Sequence, residues 1–336
     1  LGAGRSENRI AALDGDWQDF TPTERAAYAF ARKYTYQPHL LNDQDINSLK
    51  TYFTDAQIVE MMLSMAWNNS INRWKEGVGV PQNPDEGGYS RMARIVNPQA
   101  NSETDLQKFP RGSYLTPTDE AFQSRITQVA PISRDKITGE PTTAVVCERP
   151  DLESSIEVAE RLEACRQRQS RLALVDPENT RKIMGLEADQ HAAIPNWLRL
   201  MAHFPLEGVR RAQGLLEADS NTDLDPLLKA QLSWIVARND RAWYAVGQAQ
   251  KRLRELGQSD EQIFALDNDW QRFSPGAQAI FRVAKNLAAS PVVLTDVEIE
   301  EAVQLVGPAT VVQTVNYVSQ RAAFDRLTEA AGLPLE

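Results

Sequence analysis

The chain is poor in the residues on which most redox and metal chemistry depends. Its 336 residues include two cysteines and three histidines. Cys147 and Cys165 are too far apart for a CxxC redox pair and too few for a zinc site. They read as two unremarkable thiols, with a single disulfide bridge as the alternative if the protein is exported. His39, His191 and His203 are isolated, no two at metal-ligand spacing, and each reads as a structural histidine; no metal and no cofactor is expected. Long apolar runs are also missing. None approaches the roughly 18 residues needed to cross a bilayer, and the first residues lack the basic and apolar regions of a signal peptide. Basic residues are outnumbered, 36 against 46 acidic, for a formal charge of -10. They are scattered rather than massed in a stripe, which argues against nucleic acid as a partner. These absences predict a soluble chain with no membrane span, its compartment open and the cytoplasm favoured. Residue 1 is Leu rather than Met, which predicts a trimmed start, and a targeting segment would have gone with the missing part.

What is present is enough apolar material to fold. Hydrophobic residues make up 42% and charged residues 24%, an ordinary globular balance, in a chain long enough for two domains. The organising feature is an internal repeat. Shifted by 253 positions, residues 4–33 fall on residues 257–286. Leu13, Asp14, Asp16, Trp17, Gln18, Phe20 and Pro22 meet Leu266, Asp267, Asp269, Trp270, Gln271, Phe273 and Pro275 without a gap. The register runs on through Pro38 and Pro291, Ile46 and Ile299, Arg73 and Arg326, to Gly79 and Gly332 and Pro81 and Pro334. An insertion would rotate a helix's apolar face, so an ungapped match across several helices implies the same packing in both copies.

Each copy reads as helices. Thr21-Pro22 and Ser274-Pro275 place a hydroxyl cap before a proline at the first helical position, and Pro38 and Pro291 stop the helix. Asn42 or Thr295 can cap the next one. Thr54-Asp55 or Gly307-Pro308 opens the longest apolar segment. The second copy is preceded by two further helical stretches, from Ile194 and from Asp225; the first has neither, because Leu1 is the partner of Arg254. The division expected is therefore 1–81 as the back half of a first unit, 82–150 as an extended connector rich in Pro and Gly, 151–193 as a helical linker and 194–336 as a complete second unit. The connector reads as a passive wrap, with a lid or substrate-contacting arm as the alternative. Within the linker a helix is expected from about Leu152 to Arg171, its apolar face at Ile156, Ala159 and Leu162.

LRLMAHFP at Leu198–Pro205, the FTPTERAAYAFARK segment, P-x-x-L-x-D and a closing apolar helix ending in NRW or DRL with G-x-P resemble the carboxymuconolactone decarboxylase / alkylhydroperoxidase AhpD-like family. The resemblance covers residues 194–334 as one unit and 3–81 as the back half of another. It implies an all-α fold of two such units joined by the connector, association into homo-oligomers, and in the peroxidase branch a CxxC at a helix start with a Glu one helix earlier and a His one turn later. A helix N-terminus with a neighbouring acid and base lowers a thiol's pKa and moves its proton.

The chain departs from that pattern at every catalytic place. Arg241 and Tyr244 stand where the cysteines would be, Gly247 or Gln248 where the histidine would be, and Lys229 where the glutamate would be. Lys229, Arg241, Trp243, Tyr244 and Gln248 could line a polar pocket for an anion or a planar ligand; the plainer reading makes the cations interface or salt-bridge residues and the aromatics core. Trp17 and Trp270 read as repeat-matched core, and Asn68, Asn69 and Asn72 as a helix-interface network. The favoured function is a non-catalytic family member, a pseudoenzyme that forms oligomers and binds a small molecule or a protein. A partner polypeptide completing the first unit is a further expectation. The alternative is a peroxidase or decarboxylase with its active site in the missing N-terminal part, or in a modified pocket at Arg241 and Tyr244.

Overall fold

The computed structural model describes residues 12–14, 17–79, 133–134, 141–142, 151–186, 193–221, 223–290 and 292–336. Two compact units divide the chain, one of residues 1–28 with 79–146 and one of 29–78 with 147–336. Most of the segment read as a connector, with Cys147 and His191, lies outside the described residues.

Thirteen α-helices account for nearly all regular structure among the described residues. They are α1 (Pro22–Tyr36), α2 (Asp43–Lys50), α3 (Asp55–Gly77), α4 (Ser155–Gln167), α5 (Pro177–Met184), α6 (Asn196–Met201) and α7 (Glu207–Ser220), then α8 (Pro226–Asp240), α9 (Trp243–Glu255), α10 (Asp260–Asn268), α11 (Pro275–Ala288), α12 (Asp296–Val306) and α13 (Pro308–Ala330). The fold is all-α apart from a two-residue antiparallel ladder in the first unit, β1 (Ser133–Arg134) with β2 (Pro141–Thr142). No helix among the described residues is long and apolar enough to cross a membrane.

The helix starts follow from local chemistry. Thr21, Asn42, Thr54, Ser154, Ser259 and Thr295 each accept from a backbone N–H in the first turn, and each donates its own backbone N–H to a Glu, Asp or Gln side-chain oxygen three residues on. Such reciprocal caps satisfy two of the orphan donors at a helix start. Proline fills the first helical position of α1, α5, α8, α11 and α13, where its missing N–H costs nothing.

Positions 253 apart share these features. The helices α3 and α13 are both 23 residues long and begin and end at matched positions. The Trp17 indole donates to Leu13 O and the Trp270 indole to Leu266 O, both at 2.7 Å. Phe20 meets Tyr28 edge-on with ring centroids 5.1 Å apart, as Phe273 meets Phe281. Gly79 and Gly332 both take the left-handed conformation at the end of the long helix, with φ near +60°. Trp17 and Trp270 are half-buried and so are not core residues as expected; their indoles close the turn before α1 and α11.

In the second unit α13 is the central strut. It packs most extensively against α3, and also against α8, α11, α12 and α9. The pair α3 and α13 runs antiparallel, with Gly77 against Val315 while Leu63 and Ala66 share a narrow cleft with Ala323 and Leu327. Trp234, Phe281, Val236, Val315 and Leu327 form the surrounding core.

Two expectations need correction. The linker helix is shorter than read, Ser155–Gln167, because the Ser154 cap starts it and extended backbone at Arg168 ends it. Its buried face is Val158, Leu162 and Cys165, while Ile156 is 72% exposed. This segment also packs on α9.

Gly77 lets α3 and α13 approach. A Cβ there would lie 2.6 Å from Val315 Cγ1 and 3.2 Å from Leu287 Cδ1, and neither branched side chain has free room. Gly77→Leu is expected to lower the unfolding free energy by about 1–3 kcal/mol through overpacking, measured by urea denaturation at constant slope.

Candidate functional site

The turn between α8 and α9 is where the family resemblance puts redox thiols. Arg241 ends α8 in the left-handed conformation, with φ 50°. That backbone costs a non-glycine residue about 1–2 kcal/mol, and side-chain bonds offset it. Arg241 pairs with Glu153 at 2.5 Å and donates to Asp151 O at 3.1 Å. Glu153 also receives Arg238 Nη1 at 2.9 Å, and Arg238 reaches Asp267 with Nη2 at 2.9 Å. Arg238 is 1% exposed on this side of the core. Asp267 accepts from the Trp234 indole at 2.7 Å. Burial pushes the Asp267 carboxyl up, and the bond and charge of Arg238 pull it down; the net is a raised pKa.

The other side chains of the turn are also taken up. The Trp243 backbone N–H donates to Glu329 Oε2 at 3.0 Å, and Glu329 pairs with Arg168 at 2.8 Å. Tyr244 is fully buried and its hydroxyl donates to the Glu336 carboxylate at 3.0 Å. Gln248 Nε2 lies 3.4 Å from both the Tyr244 hydroxyl and Glu336 Oε2. The backbone N–H of Asn196 donates to Glu336 as well. Burial first, then the Glu336 charge, holds the Tyr244 phenol far above its ordinary pKa, so it is a hydrogen-bond donor and not a base.

The five side chains expected to line one pocket are therefore not brought together. Tyr244 and Gln248 meet around Glu336, Arg241 turns to Glu153, and the Trp243 ring is half-buried. Lys229 sits twelve residues back along α8, about 18 Å at roughly 1.5 Å rise per residue. Its Nζ donates to Ala218 O, Asn221 O and Asn221 Oδ1 at 2.8, 2.6 and 2.6 Å. It caps the C-terminus of α7, where carbonyls lack partners and favour a cation.

Behind the turn lies a second polar cluster that sequence reading missed. Asp240 and Arg326 form an ion pair at 2.7 Å, with side chains 4% and 0% exposed. Arg326 also donates to Ser290 Oγ at 2.8 Å, and its repeat partner Arg73 donates to the same oxygen at 2.6 Å. Arg73 further reaches Ala289 O at 3.3 Å. Two guanidinium groups, matched in the repeat, thus converge on one serine after α11. Burial and the Arg326 charge both disfavour the Arg73 cation. Asp325 is 1% exposed, and its Oδ2 has no hydrogen-bond partner among the described residues. Burial and the nearby Asp240 push its carboxyl well above the usual aspartate range. The repeat itself was a signal for Arg326 and Asp267, but their partners Asp240, Ser290 and Glu153 lie at unremarkable positions.

Cys165 is buried, with Sγ 3.6 Å from Leu333 O, and burial pushes its thiol up to about 11. Such a thiol is a poor nucleophile at neutral pH. His203 bonds Ala173 O at 2.7 Å through Nε2, a structural contact. Of the asparagines, Asn69 bridges Thr35 and Arg73, while Asn68 bonds back to Ser64 O in its own helix.

Asp325 makes stability depend on pH. Its folded pKa is raised, so the folded chain holds a proton that the unfolded chain releases above about pH 4. The associated stability is complete below that value and is lost as pH rises through the folded pKa. Asp325→Asn is expected to flatten the fall of Tm between pH 5 and 8 and to gain on the order of 1–3 kcal/mol at the upper end. Arg326→Met is expected to cost about 3–5 kcal/mol by stranding Asp240; calorimetry across that range checks both.

Comparison of the chain with models of known families, with curated proteins and with solved structures gives no match.

Proposed function

We propose that the chain is a carboxymuconolactone decarboxylase / AhpD-like protein in which two helical repeats are joined by the segment 82–150, and that it is a non-catalytic, oligomer-forming member acting through binding. The observation that carries this reading is the fate of the two thiol positions. Arg241 is consumed by Glu153 and Tyr244 by Glu336, so the turn offers a peroxide neither a thiolate nor a free base. The altered-chemistry alternative at these residues has less in its favour, because both groups already have their partners.

The matched helix bounds and the matched indole and ring contacts favour the two-unit reading. Oligomer formation draws support from the surface. Leu40 and Val293, matched in the repeat, are 47% and 46% exposed, and the matched Tyr52 and Leu305 are both 45% exposed. An apolar residue exposed once is ordinary; the same exposure at two pairs of matched positions is what a contact surface used by both repeats requires.

Purified protein given peroxide and a dithiol reductant is expected to show no turnover above the protein-free rate, and Cys165 to react with a thiol reagent only after unfolding. Turnover that survives purification overturns the reading. Tyr52→Glu combined with Leu305→Glu is expected to lower the mass measured by light scattering to that of one chain; a monomeric parent protein counts against the oligomer.

A further inference from the structure

A cleft of about 490 Å³ opens between α4, α9 and α10. None of the residues bound up at the Arg241 turn lines it, and its size lies in the range of small-molecule sites, roughly 300–1,000 Å³. Its apolar wall is Ala159, Leu162 and Phe264, the Phe264 ring being held edge-on by Trp234 with centroids 5.4 Å apart. Gln250 also lines the cleft. It is only 8% exposed, yet among the described residues nothing hydrogen-bonds its carboxamide. The carboxamide is reached from the cleft, where water or a ligand can bond it.

The rim carries both signs of charge. Arg254 pairs with Asp260 at 2.9 Å, and Glu261 with Arg272 at 2.6 Å. Across the cleft Arg166 pairs with Glu163 at 3.3 Å. All six side chains are about half exposed or more. Such surface pairs are worth little and exchange readily for a ligand's charges.

We propose that this cleft binds a small zwitterion carrying a planar ring with a hydrogen-bonding edge, the chemistry of an aromatic amino acid. The ring lies on Leu162 and Phe264, and its N–H or O–H edge donates to the Gln250 carbonyl. The ligand carboxylate meets the Arg254 guanidinium, and its ammonium meets Asp260 and Glu261. The proposal stands on the cleft alone and does not depend on the family reading.

The test uses the whole chain with L-tryptophan as the probe, followed by titration calorimetry and by the NMR shifts of the Gln250 side-chain amide protons. Saturable heat and a matching shift of those protons are expected. Tryptamine and indole-3-propionate, each lacking one charge, should bind more weakly. Gln250→Leu keeps the side-chain bulk and should weaken binding about fivefold, the worth of one neutral hydrogen bond. Ala159→Trp, at an exposed helix position, should fill the cleft and abolish binding with the melting temperature unchanged. Absence of heat and shift at millimolar tryptophan overturns the proposal, as does binding that stays unchanged in either variant.

Discussion

The buried ion pair of Asp240 with Arg326 is the contact on which the rest of the second unit depends. It joins the end of α8 to the last turns of the closing helix α13, and through Ser290 it reaches Arg73 on α3. Two guanidinium groups and a carboxylate enclosed in a helical core are costly to desolvate, and only good geometry and added hydrogen bonds recover that cost. The result is specificity of arrangement: helices α3, α8 and α13 can meet in one register, because any slip strands a charge. The close approach at Gly77 and Val315 works to the same end on the apolar side.

A second set of carboxylates explains why the α8–α9 turn is structural. Glu153 lies just before α4, Glu329 late in α13, and Glu336 at the last position of the sequence. Each comes from outside the turn, and together they take up Arg241, Arg238, the Trp243 N–H, Tyr244 and Gln248. A residue placed like Arg241, in left-handed backbone at a helix end, invites a functional reading. Here the ion pair with Glu153 accounts for it. The same carboxylates tie the segment after residue 150 into the core, through Glu153 to Arg238 and Arg241 and through Arg168 to Glu329.

The contrast between the turn and the α4–α9–α10 cleft is one of satisfaction. At the turn Arg241 is paired with Glu153, and Tyr244 and Gln248 bond Glu336. In the cleft Gln250 has none among the described residues, and the rim pairs are exposed enough to exchange. Polar residues gathered by helical spacing, as Arg241, Tyr244 and Gln248 are, thus turned out to be the less available set. Gln250, two residues further along the same helix, carries no pattern that would single it out, and its role depends on α4 and α10 closing around it.

The sequence by itself determined where six of the thirteen described helices begin, since caps and prolines act over three or four residues: the starts of α1, α2, α3, α11, α12 and α13 were legible, and so was the match between α3 and α13. It also marked Arg73 and Arg326 as a pair. It misjudged α4, where Ser154 and extended backbone at Arg168 set the ends, and it took Trp17 and Trp270 for core when each indole closes a local turn. Only the tertiary structure decided which charges meet. Lys229 falls to the end of α7 and Arg241 to Asp151 and Glu153 because helix packing brings those partners from 8 to 90 residues away, a distance over which spacing along one helix carries no information. Side-chain burial and pairing are properties of the assembled core, and a linear pattern can propose them but not choose among them.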